Sequence, residues 1–266
     1  MDQLAAVASD IAHAFVSARR NGRSLPDYPG RVPADMAQAY AIQNAAIGIA
    51  GDEIMGWKVG RIGPPHETAV GVNRLIGPVF TIYRSAAGHD RPPVGIFPGG
   101  FSAVEAEFLV RLRHDIRGGT AGDLASVADA IAAVHVGLEI ASSPFAGIND
   151  LGPAVTASDF GNNNGIVIGA EIPDWRSQAI DRWDVRTAVD GETVGEGRAA
   201  GLPDGMLGSV AFLLQALAER GRSAAGCWIA TGAVTGVHAV TPGAVVSASF
   251  ADRYHVSCAI AREPSG

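Results

Sequence analysis

From Ile54 onward the chain is a succession of short apolar runs of β type, cut at close intervals by Gly, Pro and Asn. That spacing confines the fold to one built on sheets, because runs of about four to eight residues between breakers are strand-sized and too short for buried helices. Strands are predicted near 54–59, 78–83, 104–113, 134–142, 165–170, 183–189, 192–197, 227–231, 244–250 and 254–261. Asp190-Gly191, between two of these, fits a two-residue hairpin turn. The 34 glycines suit a bent, tightly turned sheet better than a parallel doubly wound one. Helices are predicted at about 123–133 and about 204–220, the second capped by Asp204 and closed by Gly221. Ahead of the strands, Leu4, Val7, Ile11, Phe15 and Ala18 recur at helical spacing over 3–20, stopped by Asn21-Gly22. Asp35 can cap a second helix running to about Ile49, and the proline-rich stretch from Leu25 to Pro33 connects the two. The division expected is an N-terminal helical segment over 1–52 and a β domain over 53–266.

The charge and composition exclude several classes of function. A net charge of −7 with scattered arginines argues against nucleic acid, which is held by clustered positive charge. No apolar run approaches the roughly 18 residues of a spanning helix, so no membrane is expected. The N-terminus carries Asp2 and Asp10 and lacks the basic region and apolar core of a signal peptide. Cys227 and Cys258 show no metal-ligand spacing and read as reduced thiols, which points to the cytoplasm. With 47% hydrophobic and only 18% charged residues, the apolar surplus fits a large core and the interfaces of a homo-oligomer. No Gly-x-Ser-x-Gly elbow, His-Glu-x-x-His or phosphate-binding loop occurs.

Chemistry-bearing residues fall in five places. On a strand, Glu105 and Glu107 of Val104-Glu105-Ala106-Glu107 share one face while Val104, Ala106 and Phe108 take the other. Glu139 is a lone acid in the apolar run Val134–Ile140, and a buried carboxylate must be paired or ligate a metal. Together the three glutamates suit a hard cation, Mg²⁺ or Mn²⁺, and with no His or Cys among them zinc is disfavoured. A solvent-facing strand edge, with Glu139 bonded to an arginine, explains the same spacing, and spacing alone leaves both readings open. Of 20 basic residues only Lys58 is a lysine, bracketed by Gly56 and Gly60; beside a cation and an anionic substrate it could stabilise an enolate or move a proton. A snorkelling surface lysine is the alternative. Asp159 to Gly165, rich in Asn and Gly, and Thr231-Gly232, at the end of a strand, could present amides and polar groups to a carboxylate, although ordinary turns have the same composition. His66 and His238 lie in candidate loops.

Taken in order, Gly56-Trp57-Lys58-Val59-Gly60, Val104-Glu105-Ala106-Glu107, Leu138-Glu139-Ile140, the segment from Asp159 to Gly169, and Thr231-Gly232 resemble the 2-keto-4-pentenoate hydratase and 4-oxalocrotonate decarboxylase family, within the fumarylacetoacetate hydrolase superfamily. The resemblance spans nearly the whole chain. It implies an α+β fold, a twisted mixed β-roll with an N-terminal helical segment. It also implies metal ligation by Glu105, Glu107 and Glu139 and an active-site Lys58, with substrate contacts expected from Asp159, Asn162, Thr231 and Gly232 in the matching segments. The activity implied first is addition of water to a 2-hydroxy-2,4-dienoate during degradation of aromatic compounds, by a homo-oligomer that associates with a decarboxylase partner. Decarboxylation of a 2-keto dicarboxylate and acylpyruvate-type C–C hydrolysis, with His66 or His238 as base, are the alternatives, and a non-catalytic subunit is the reading from another class. The chain departs from the family pattern where many hydratases read Leu-Thr-Ser, with Arg61-Ile62-Gly63 in its place, and Leu75-Ile76-Gly77-Pro78 stands where such enzymes often carry an aspartate. Arg61 offers a bidentate carboxylate contact there.

Overall fold

A computed structural model of the chain describes residues 2–85, 90–114 and 123–264, with side chains from residue 5 onward. Two helices open it, α1 (Asp2–Arg20) and α2 (Met36–Ala50). Ile11 and Phe15 bury the inner stripe of α1, while Leu4 lies outside the described side chains. Asp35 accepts the Gln38 amide as the N-cap of α2, and Gly51, in left-handed backbone, ends it.

The strands follow as β1 (Gly56–Arg61), β2 (Arg74–Val79), β3 (Ile82–Arg84), β4 (Pro93–Ile96), β5 (Phe101–Leu112), β6 (Ile131–Ser143), β7 (Asn163–Glu171), β8 (Val185–Val189), β9 (Glu192–Gly197), β10 (Trp228–Ala230), β11 (His238–Ala239), β12 (Val245–Phe250) and β13 (Tyr254–Arg262). Interspersed are α3 (His66–Val70), α4 (Leu124–Ala130), α5 (Pro153–Ser158) and α6 (Gly205–Ala218). One sheet runs β2-β1-β10-β5-β6-β7-β3, with β11 also paired to β5; the second runs β4-β13-β12-β8-β9. Both mix parallel and antiparallel pairs. This is the α+β architecture expected, with a mixed, strongly curled sheet.

The curl follows from the connectivity. β2 and β3 stand at opposite ends of the first sheet, yet only Phe80 and Thr81 separate them in the chain. The sheet therefore bends until its two ends meet, giving an open roll with an inside and an outside. Register sorts the side chains. Lys58 pairs with Ala230, Ala230 with Leu109, Glu105 with Glu139, and Glu139 with Ile166, so all of these share the inner face. Trp57, Val104, Ala106, Phe108, Leu138 and Ile140 take the outer face and join the main core, which also holds the buried side chains of α1, α2 and α6. Inside the roll, Val79, Leu109, Ile166, Ile168, Trp228 and Ala230 form a second, smaller apolar cluster.

Four local expectations need correction. The predicted strand 78–83 is two strands: its apolar run hides the crossing at Phe80-Thr81, and β2 begins earlier, at Arg74. The helix predicted to 133 ends at Ala130, where Ile131 opens the long β6. Asp204 stands at the N-cap of α6, but with φ 52° and no side-chain cap bond, so it does not cap that helix in the usual way. β4, α3 and α5 carried no predicted element, since Pro93, Gly95, Pro65 and Pro153 interrupt their patterns. Asp190 and Gly191 both take positive φ, as the β8–β9 hairpin turn requires.

Candidate active site

At one end of the roll's interior, Glu105 and Glu107 of β5 and Glu139 of β6 converge, with donor oxygens within 4.8 Å of one another. Alternation along β5 puts its two acids on one face, and the direct pairing of Glu105 with Glu139 brings the third beside them. Glu107 faces Gly137, where a Cβ would collide with the Leu109 side chain, so this strand position has to be bare. Glu107 and Glu139 are fully buried and Glu105 is 6% exposed, which rules out a solvent-facing strand edge.

Lys58 reaches this cluster from β1. Its Nζ lies 3.3 Å from Glu139 Oε1 and donates to Asn162 Oδ1 at 3.4 Å. Asn163 Nδ2 donates to the same Glu139 oxygen at 3.0 Å, and the Gly232 amide donates to Glu107 Oε2 at 2.8 Å. Glu107 Oε1 and Glu139 Oε2 have no hydrogen-bond partner among the described residues. Three carboxylates therefore face one ammonium. Like charges about 5 Å apart repel by roughly 3 kcal/mol per pair at an effective dielectric near 20. The protonation equilibria show this strain. Burial and the facing Glu139 push the Glu105 carboxyl up to about 7, against the pull of Lys58 and a hydrogen bond with Glu107. Burial, then Glu139 and Glu105, hold Glu107 well above the ordinary carboxylate range, opposed by the Gly232 amide and Lys58. Burial alone would lower the Lys58 ammonium, but the three glutamates outweigh it and its pKa is raised. An all-oxygen, buried cluster of three acids with two unpartnered oxygens fits a hard divalent cation, which would relieve the repulsion among the ionised carboxylates.

The cluster opens onto a cavity of about 260 Å³ lined by Lys58, Arg61, His66, Glu105, Asn149, Thr156 and Asn162, with Ala233 and Val237 on its wall. Of the residues expected from sequence, the fold brings Lys58, Arg61, Asn162 and the three glutamates to this place. Asp159 lies elsewhere: it is fully buried, in a two-point ion pair with Arg19 of α1 and accepting from Ser143 Oγ. The Thr231 hydroxyl donates to the Phe108 carbonyl at 2.8 Å, and the Gly232 amide is taken by Glu107, so neither group faces the cavity. His66 lines the cavity, whereas His238 bonds to Thr235 beside β5. Asn149 and Thr156 went unnoticed in the sequence. Asn149 Oδ1 accepts from both Thr156 Oγ1 and Asn162 Nδ2, and its amide nitrogen has no partner among the described residues. They sit in and beside an irregular loop, where no periodicity marks them.

No protein-family model matches the sequence, and no curated protein matches it. Solved structures do. The 4-oxalocrotonate decarboxylase from Pseudomonas putida G7, complexed with magnesium and adipate, is similar at TM-score 0.78 with 23% identity, covering 97% of each chain. This chain has the fumarylacetoacetate hydrolase-type fold. The fumarylpyruvate hydrolase from Pseudomonas aeruginosa in complex with Mn²⁺ and pyruvate (TM-score 0.56, 18% identity, 77% of this chain and 88% of that one) and the maleylpyruvate hydrolase from Sphingobium sp. SYK-6 (0.53, 14%, 79% and 72%) share it more loosely. No helix among the described residues is long and apolar enough to cross a membrane.

Proposed function

We propose that this chain is a divalent-metal-dependent enzyme acting on a small 2-oxo acid, with Glu105, Glu107 and Glu139 as the groups that would hold Mg²⁺ or Mn²⁺. The observation carrying the proposal is the buried glutamate triad, two of its oxygens unpartnered, beside the only lysine at the base of a cavity. The magnesium–adipate and Mn²⁺–pyruvate complexes of the structural neighbours support it. A bound ion would supply Lewis-acid polarisation of the substrate's carboxylate and 2-oxygen. The chain's own residues do the rest. Lys58, buried beside Glu139 and Asn162, brings an ammonium that would stabilise negative charge on a substrate oxygen or hand a proton to a developing enolate. Asn162 Oδ1 aims that ammonium, and Arg61 offers a fork for a second carboxylate at the mouth.

Decarboxylation of a 2-oxo dicarboxylate of the 4-oxalocrotonate type fits this cavity best. Arg61 suits a distal carboxylate, and no acid other than Glu105 lines the cavity among the described residues to serve as a base for water. The C–CO₂ bond breaks and its electron pair moves through the conjugated chain to the 2-oxygen, where Lys58 meets the charge. Hydration of a 2-hydroxy-2,4-dienoate is the second reading, favoured by His66 at the cavity as a group able to order water. Either substrate would come from ring cleavage of an aromatic compound, and a homo-oligomer is part of the same proposal. CO₂ release from 4-oxalocrotonate and consumption of 2-hydroxypenta-2,4-dienoate, each with Mg²⁺ and with EDTA, decide between them. Full metal-dependent activity in Glu107→Ala would sink both.

A further inference from the structure

Asn162 and Asn163 touch the site, one on Lys58 and one on Glu139, and Asn162 ends a stretch of backbone that few sequences tolerate, with Asn163 extended directly after it. Phe160, Gly161 and Asn162 run consecutively in the left-handed region, with φ of 54°, 62° and 59°. Left-handed residues occur singly in most chains, and a run of three persists only where the surroundings over-determine it. The side chain that contacts this segment at most points is Arg19, in the last turn of α1. Its Nε and Nη2 hold Asp159 Oδ1 and Oδ2 at 2.7 and 2.8 Å. Its Nη1 donates to the Asn163 carbonyl and to Asn164 Oδ1, both at 3.1 Å, and Nη2 also reaches the Ser142 carbonyl at 3.2 Å. The guanidinium lies over the Phe160 ring, 5.0 Å from its centroid. These partners span the segment from its first residue to the start of β7, and Ser142 ties it to β6, the strand of Glu139.

Arg19 does not line the cavity of the site; it borders a separate one of about 170 Å³ on the far side of the segment, together with Phe160 and Asn163. The geometry points to Arg19 as a positioning residue for the glutamate–lysine centre, acting through Asp159 and the 160–163 backbone to aim Asn162 at Lys58 and Asn163 at Glu139. The inference rests on the metal-dependent reading above. A planar fork with five donors is required, and an ammonium cannot reproduce it.

Arg19→Lys tests this against Ile11→Val, which thins the buried face of the same helix without touching the segment. Three readouts apply: amide hydrogen exchange of residues 160–165 in metal-free protein, Mn²⁺ affinity by calorimetry, and kcat with KM. Arg19→Lys is expected to speed exchange in that segment, to weaken Mn²⁺ by about tenfold or more, as loss of groups orienting metal ligands does, and to lower kcat. Ile11→Val is expected to lower the melting temperature alone. The inference is overturned if Arg19→Lys shifts only the melting temperature, or if Ile11→Val weakens Mn²⁺ as much. Should the wild type bind no Mn²⁺, the metal reading falls, and the exchange measurement still judges the clamp: unchanged exchange refutes it, faster exchange upholds it. If Arg19→Lys does not fold, Ser143→Ala, which removes one bond to Asp159 Oδ2, takes its place with the same expectations in smaller measure.

Discussion

Replacing Glu105 by glutamine should make the metal-free protein more stable while disabling it. In the folded chain the Glu105 carboxyl is pushed from 4.5 up to about 7, first by burial and then by Glu139. The unfolded chain loses this proton near the lower value and the folded chain near the higher one. The folded state thus binds more protons in between, and stability falls as pH rises through that window, the loss being complete above about 7. A shift of about 2.5 units corresponds to roughly 3 kcal/mol at 1.36 kcal/mol per unit. Glutamine keeps the shape and removes the charge, so Glu105→Gln at about pH 8 with EDTA should gain up to roughly 3 kcal/mol. For a chain of this size that is a rise in melting temperature of about 6–12 °C. At about pH 5, where the folded wild type keeps its proton, the gain should shrink below about 1 kcal/mol. Adding Mn²⁺ should stabilise the wild type and leave the variant unchanged. Thermal melts at the two pH values, with and without metal, decide it. An equal loss of stability in Glu105→Gln at both, under EDTA, would show that the acid makes net favourable native contacts and that the cluster is not strained as argued.

Lys58→Met should lower kcat by roughly 10²–10⁴, the range for a positioned proton-transfer group, with Mn²⁺ affinity by calorimetry no weaker than in the wild type. Arg61→Met should raise KM for a 2-oxo dicarboxylate by about tenfold or more through loss of a charge-assisted fork, and leave KM for a monocarboxylate nearly unchanged; equal effects on both would remove Arg61 from substrate recognition. Gly137→Ala should destabilise by about 1–3 kcal/mol, since its methyl group overpacks against Leu109, a loss read from denaturant unfolding.

The parts of the site that lie on strands were legible in the sequence because strand alternation is a strict rule. Glu105 and Glu107 had to share a face, and Glu139 stood out as the only acid in its run. Lys58 stood out by composition alone. What alternation cannot supply is which strands pair, so the meeting of Glu105 with Glu139 was visible only once β5 and β6 were in register. Residues in irregular backbone were hardest to assign. Asp159 reads as a polar turn residue facing a ligand, but its partner is Arg19, 140 positions away, and no local pattern connects them. The Gly232 amide, expected to meet substrate, instead anchors Glu107, because a free donor at a strand end turns to the nearest buried carboxylate. Strand length and glycine content pointed to a bent, sheet-based domain and the resemblance of the ordered motifs supplied the roll, whereas β4 was hidden by Pro93 and Gly95, acceptable there because the strand lies on a sheet edge.

The pairing of β5 with β6 has a consequence for how the molecule can go wrong. Were β5 to slide past β6 by a single residue it would trade faces, driving Glu105 and Glu107 into the hydrocarbon layer beside Leu138 and turning Phe108 toward the cavity, and a slip of β6 would do the same to Glu139 and Leu138. Such a mistake is penalised on both sides at once, by desolvated charge and by wetted hydrocarbon. The same three acids therefore act as proofreaders of assembly, and a chain that has folded out of step is also one that has no active centre.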